Sequence, residues 1–208
     1  MSNVIDLSTM LGDGPTHRYT LAEKELPYPD PTLEESGRLQ RLAGNLTLTN
    51  IYKLTREYAI LCLGDDLDDD WFNDIALKEA VHFLTYMQNP TGATQSPEVE
   101  PVTVKLGKHT LILPPVDMGA LGAFGEWLED NPNAMMDELR AFQLQRLLTE
   151  ATLEDGSELP PEFATGRIPK PLGEKLVDLY INGVSDETKK ALPKPKRTAK
   201  GKRATGLN

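Results

Sequence analysis

The densest set of potential metal ligands in the chain is Asp65-Asp66-Leu67-Asp68-Asp69-Asp70. Carboxylates at alternate positions are what a helix–loop–helix calcium site uses, and a loop begun at Asp66 would have Asp66, Asp68 and Asp70 as its first, third and fifth ligands. Trp71 then stands where the sharp turn needs glycine, and Leu77 where a bidentate glutamate closes the shell. The cluster therefore reads as an interhelical turn whose carboxylates cap the helix that follows and favour its positive dipole end. His17, His82 and His109 lie far apart, none with a partner at i, i+4. Cys62, the only cysteine, sits in the apolar run Ala59-Ile60-Leu61-Cys62-Leu63. It excludes an internal disulfide or a cysteine-rich zinc site and reads as a small core residue. The chain has no Gly-rich phosphate loop, nucleophile elbow or Cys/His arrangement, so no catalytic residue, metal or cofactor is expected.

Two other sets of residues are suited to contact rather than chemistry. Gly119, Gly122 and Gly125 recur every three residues on a predicted helix that also carries Leu121, Phe124 and Trp127. They make either a helix weakened by glycine or a small-residue face that lets another helix approach closely. On the second reading these six residues bind a partner. The other set is the C-terminal tail, with Lys189, Lys190, Lys194, Lys196, Arg197, Lys200, Lys202 and Arg203 and no acid after Glu187. Residues 1–188 hold 14 basic and 32 acidic groups, so a body of net −18 carries a tail of net +8. The tail composition predicts disorder in isolation and a role in contact. It lacks aromatic residues for base stacking, which argues against sequence-specific single-strand readout. It leaves open salt-sensitive phosphate contact, or docking on an acidic protein surface including another subunit's body.

The elements that must position these residues follow from periodicity. Residues 1–32 read as irregular, with one short strand at His17–Leu21 and a polyproline-like run through Pro27, Pro29 and Pro31. Thr32 can cap a helix ending near Gly44. Ile51, Leu54, Tyr58 and Leu61 mark a second helix stopped by Gly64. Phe72, Ile75, Ala76, Ala80, Phe83, Leu84 and Met87 predict one continuous helix over Trp71–Gln88, packed on the second as a hairpin. Residues 89–101 have linker composition. Val102, Val104 and Leu106, then Leu111-Ile112-Leu113, predict a β-hairpin turning at Gly107 and stopped by Pro114-Pro115. Asp117 can cap a helix through Leu128, with Leu121, Phe124 and Leu128 on one side. Asn133 can cap the next, with Met136, Leu139, Phe142, Leu147 and Leu148 as core, and a last helix falls near Pro171–Ile181. The expected fold is a mostly helical α+β protein. It has a helical lobe over 33–88, a linker over 89–101, a second lobe opened by a β-hairpin over 102–184, and a basic tail over 185–208. No run approaches the roughly 20 apolar residues of a membrane span, and no secretory signal is evident, so a soluble protein of a reducing cytoplasm is expected.

Within Val102–Leu128, the run Val-Thr-Val-Lys-Leu-Gly-Lys-His-Thr-Leu-Ile-Leu-Pro-Pro-Val-Asp-Met-Gly-Ala-Leu resembles the strand–turn–strand, Leu-Pro-Pro, helix start of tail assembly chaperones of long-tailed bacteriophages. The opening Met1-Ser2-Asn3-Val4-Ile5-Asp6-Leu7 and the basic ending are also similar to those of phage proteins. The resemblance implies a non-enzymatic morphogenesis protein of the host cell cytoplasm that coats the tape-measure protein and delivers it to the assembling tail; other phage structural proteins are expected partners, and self-association stays open. Two alternatives stay open. One is a structural virion component, in the tail or at the head–tail junction, whose basic tail contacts DNA or neighbouring subunits. The other is a nucleic-acid-associated regulatory protein.

Overall fold

Alternation and helical periodicity give twelve regular elements in a computed structural model that describes residues 17–90 and 93–183. In chain order they are β1 (Arg18–Leu21), β2 (Lys24–Pro27), α1 (Leu33–Ala43), α2 (Leu48–Leu63), α3 (Asp69–Asp74), α4 (Leu77–Gln88), β3 (Val102–Leu106), β4 (His109–Leu113), α5 (Met118–Asp130), α6 (Met136–Glu150), β5 (Thr152–Leu153) and α7 (Lys170–Asn182). Helices dominate, and the strands form a two-stranded sheet β1-β2 and a three-stranded sheet β3-β4-β5. The expected α+β, mostly helical class is what is seen. The expected disorder of the basic tail falls outside the described residues, as do all eight of its basic side chains.

Several boundaries follow from local chemistry. Thr32 caps α1 by accepting from the Glu35 N–H, while Glu35 reaches back to the Thr32 N–H at 2.7 Å. This is the reciprocal capping box. Thr47 caps α2, and Gly64 ends it at φ +58, a left-handed geometry that favours glycine. The β3–β4 hairpin turns at Gly107, also at positive φ, with Val102 opposite Leu113 and Val104 opposite Leu111.

Five expectations are corrected. The segment before α1 is a β-hairpin rather than one strand in irregular chain, and Tyr19, Leu21 and Leu26 of it are fully buried. Tyr19 stacks among His82, Phe83 and Tyr86 of α4, which is why the hairpin forms against the body. The predicted Trp71–Gln88 helix is two helices. Ile75 and Ala76 are extended, because Leu77 N–H donates to the Val116 carbonyl at 2.7 Å and Met118 N–H to the Ile75 carbonyl at 2.9 Å. Ala76 bridges Asp117 there. Both residues of the break stay buried, so the apolar pattern runs on unbroken through it. Asn133 does not cap α6. The helix starts at Met136, selected by Glu138 reaching back to the Met135 N–H, and Met136 itself is exposed rather than core. On α5, Leu128 likewise faces outward, while Leu121 and Phe124 are buried.

The core joins both halves. Tyr19, Leu54, Phe72 and Phe83 belong to the same cluster as Leu111, Leu113, Phe124, Leu147 and Tyr180. Between the halves, the segment around Thr94 and Ser96 is tied to β1. Thr20 N–H donates to the Thr94 carbonyl at 2.8 Å and Ser96 N–H to the Thr20 carbonyl at 2.9 Å. The short strand β5, too brief to show alternation, adds to β4 with Leu153 opposite Leu111.

Candidate functional site

The helix that brings Gly119, Gly122 and Gly125 together spends that face inside the chain. A Cβ on Gly119 would lie 3.3 Å from Asn73 Cβ, on Gly122 3.1 Å from the Tyr52 ring, and on Gly125 3.4 Å from Thr49 Cγ2. The glycines are therefore the small-residue face that admits a close neighbour, and the neighbours are the chain's own α2 and α3. Leu121 and Phe124 are buried beneath the same helix. Trp127 stacks on Phe142 of α6 at 5.3 Å between centroids and 17° between planes. Most of these six residues thus pack within the chain, with Trp127 half-buried at the edge of a shallow depression bordered by Asp130, Asn131 and Glu138. Beside that depression stand residues that periodicity assigned wrongly or did not single out. Leu128, Met135 and Met136 are large apolar side chains at the surface, with Met135 71% and Met136 67% exposed. The only sequence signal for the two methionines was the Met-Met pair that follows Asn131-Pro132-Asn133-Ala134.

The acidic turn resolves into separate duties. Asp68 accepts from the N–H groups of Asp70 (2.9 Å) and Trp71 (3.4 Å), capping α3, and Asp69 pairs with Arg56 at 2.7 Å. Asp65 and Asp66 lie in the short 3₁₀ turn Gly64–Asp66. The capping role expected of the cluster is thus visible in Asp68.

A second acidic region was not apparent from the sequence because its members are distant along the chain. Glu23, Asp74, Glu79 and Glu98 line a cleft of about 520 Å³, together with Thr20, Gln95 and Ser96. Its wall is rigidly tied. Glu79 accepts from the Ala76 N–H at the start of α4 and from Ser96 Oγ at 3.0 Å, and Ser96 Oγ in turn accepts from the Ala22 N–H. With its proton given to Glu79 and a lone pair taken by the backbone, Ser96 works as a clamp rather than as a nucleophile. The turn between β1 and β2 uses Ala22 and Glu23 at φ +43 and +65, where glycine or asparagine is usual. Trp71 Nε1 donates to the Ala22 carbonyl at 3.2 Å, and Lys24 lies 4.2 Å over the Trp71 ring. Those contacts hold the strained turn in place.

The histidines remain separate. His82 Nδ1 bonds the Tyr19 hydroxyl, His17 packs edge-on to Tyr28, and His109 packs edge-on to Phe163 with Nε2 3.4 Å from Glu162. Among the described residues no group of three His, Cys, Asp or Glu side chains is placed to hold a metal ion. Cys62 is partly buried, and burial pushes its thiol up to about 12, so it stays protonated and unreactive near neutral pH. Where α5, α6 and α7 meet, Glu150 accepts from Arg146 and from the Tyr180 hydroxyl at 2.9 Å. Burial raises the Tyr180 hydroxyl well above its ordinary value, with the Glu150 charge adding to it. Burial also raises the Asp117 carboxyl, with Glu150 and Asp74 contributing. This network joins three helices, and Tyr180 also lines a small groove between α4, β3 and the end of α7.

Among the described residues no helix is long and apolar enough to cross a membrane. Comparison of the chain with models of protein families, with curated proteins and with solved structures returns no match.

Proposed function

We propose that this protein is a non-enzymatic bacteriophage morphogenesis protein of the tail assembly chaperone type, acting in the host cytoplasm to hold the helices of the tape-measure protein until they enter the growing tail. The observation that carries this reading is the stretch Val102–Leu121. It folds as an antiparallel hairpin, a Pro114-Pro115 stop and a helix capped by Asp117 accepting from the Ala120 N–H at 2.7 Å, the order of elements that the resemblance implies. The surface gives such a role a place to act. Leu128, Met135 and Met136 are among the exposed apolar side chains of an acidic body, and the flexible thioethers suit helices of varied sequence.

The test is co-expression with the long tape-measure protein of the same phage. The expected result is a soluble complex, lost or depleted with the surface variant M135E/M136E, and absence of the protein from purified virions by mass spectrometry. A tape-measure protein equally insoluble with and without this chain would overturn the reading. Stoichiometric presence in virions would replace it with the structural alternative.

A further inference from the structure

The described chain ends at Gly183, directly after α7, on the border of an apolar groove lined by Leu77, Val102, Pro115, Val116 and Ile181. That groove shares Val99 and Pro115 with the acidic cleft, so the two adjoin. Glu100 stands on the groove, and Glu23, Asp74, Glu79 and Glu98 stand on the cleft. Among the described residues none of these five carboxylates is in an ion pair with a lysine, arginine or histidine. Lys78 lies where the chain leaves, its Nζ 3.4 Å from the place a Cβ on Gly183 would occupy, and it too has no acidic partner among the described residues.

The sequence that continues from Gly183 carries charges in the matching order. Val184 comes first, then Asp186 and Glu187, then Lys189, Lys190, Lys194, Lys196 and Arg197. The five residues from Val184 to Thr188 span up to about 17 Å when extended before the first lysine.

We propose that residues 184–208 dock on their own body, with Asp186 and Glu187 beside Lys78 and the following lysines along the carboxylates of the cleft. The occupant is the chain's own tail because its attachment at Gly183 makes the encounter intramolecular. The local concentration of the tail then exceeds that of any free basic segment at ordinary protein concentrations. The contact consists of many exposed ion pairs and is therefore weakened by salt. In this arrangement the tail's positive charge is sheltered by the body and becomes available to an anionic partner only by displacement. This docking does not depend on the chaperone reading.

Carbodiimide coupling of the full-length wild-type protein, followed by peptide mass spectrometry, tests it without altering the chain. An equal mixture of ordinary and nitrogen-15-labelled protein separates links within one molecule from links between two. The expected result is amide links from Lys189, Lys190 or Lys194 to Glu23, Asp74, Glu79, Glu98 or Glu100, in pairs of a single isotope, falling about fivefold when salt is raised to about 0.5 M. In the full-length variant E23Q/E98Q/E100Q, whose substitutions are all at exposed positions, links to Asp74 and Glu79 should fall by about the same factor. Tail links spread evenly over remote carboxylates such as Glu57, Glu126 and Glu174 would overturn the proposal. Mixed-isotope links would also overturn it and make a second copy the occupant. Tail links to Glu100 alone, with none to Glu23, Asp74, Glu79 or Glu98 in the wild-type protein, would remove the cleft from the site.

Discussion

Replacing the glycines of α5 one at a time separates a helix that is merely weak from one that is seated on a neighbour. Alanine in place of a helical glycine gains about 1 kcal/mol from propensity alone. At Gly125 the new Cβ would meet Thr49 Cγ2 at 3.4 Å and Oγ1 at 3.7 Å, ordinary contact distances. Gly125→Ala should therefore keep most of that gain and stabilise the protein by about 0.5–1 kcal/mol. At Gly122 the Cβ would lie 3.1 and 3.3 Å from two carbons of the Tyr52 ring. That ring is held edge-to-face against Phe72 at 5.6 Å, so it cannot swing away without disturbing a fully buried side chain. Overpacking of this kind costs about 1–3 kcal/mol. Gly122→Ala should thus end between neutral and destabilised by about 2 kcal/mol, at least about 0.5 kcal/mol below Gly125→Ala. Urea unfolding with a shared m-value reads the difference directly. In thermal melts it corresponds to about 2–4 °C per kcal/mol for a chain of this size. Equal stabilisation by both substitutions would show that α5 is not seated on Tyr52. The glycine face would then be free for a partner after all.

Phe83→Ala should cost about 3–5 kcal/mol, because the ring is fully buried between Tyr19 and Tyr58; a shift in urea midpoint too small to measure would refute that packing. Asp117→Asn keeps an acceptor for the Ala120 N–H but removes a carboxyl whose folded pKa is raised by burial. Since the folded state holds that proton more tightly than the unfolded chain, wild-type stability should fall as pH rises from the ordinary carboxyl value of 3.8 through the raised one. The variant's stability profile should be flatter there and higher at neutral pH, and a steeper wild-type gain with rising pH in that window at this residue would contradict the assignment. Asp68→Ala should lose about 0.5–2 kcal/mol through the cap of α3. Calorimetry should find no calcium affinity tighter than about millimolar, and micromolar binding would displace the capping account.

What the sequence determined by itself is the local part of this protein. Thr32 with Glu35, Thr47, Gly64, Gly107 and Asp117 act on backbone groups within a few residues of themselves, so α1, α2, the β3–β4 hairpin and the start of α5 were legible from spacing alone. The hydrophobic stripe from Phe72 to Met87 was legible too, but it could not reveal the break at Ile75–Ala76. The hydrogen bonds that extend those residues come from Val116 and Met118, about forty positions away, and they leave both side chains buried as a helix would have. The same reason governs the rest. The hairpin at Arg18–Pro27 exists because Tyr19 finds the rings of α4, and the glycine face of α5 is occupied because Tyr52 and Thr49 of α2 and Asn73 of α3 lie against it. The carboxylates of Glu23, Asp74, Glu79 and Glu98, each an ordinary surface acid in its own stretch of chain, become one cleft only when β1–β2, α3, α4 and the segment after Gln95 are packed together. Spacing encodes which groups can meet within a turn of helix or across a hairpin, while the closing of long loops decides which distant groups share a site.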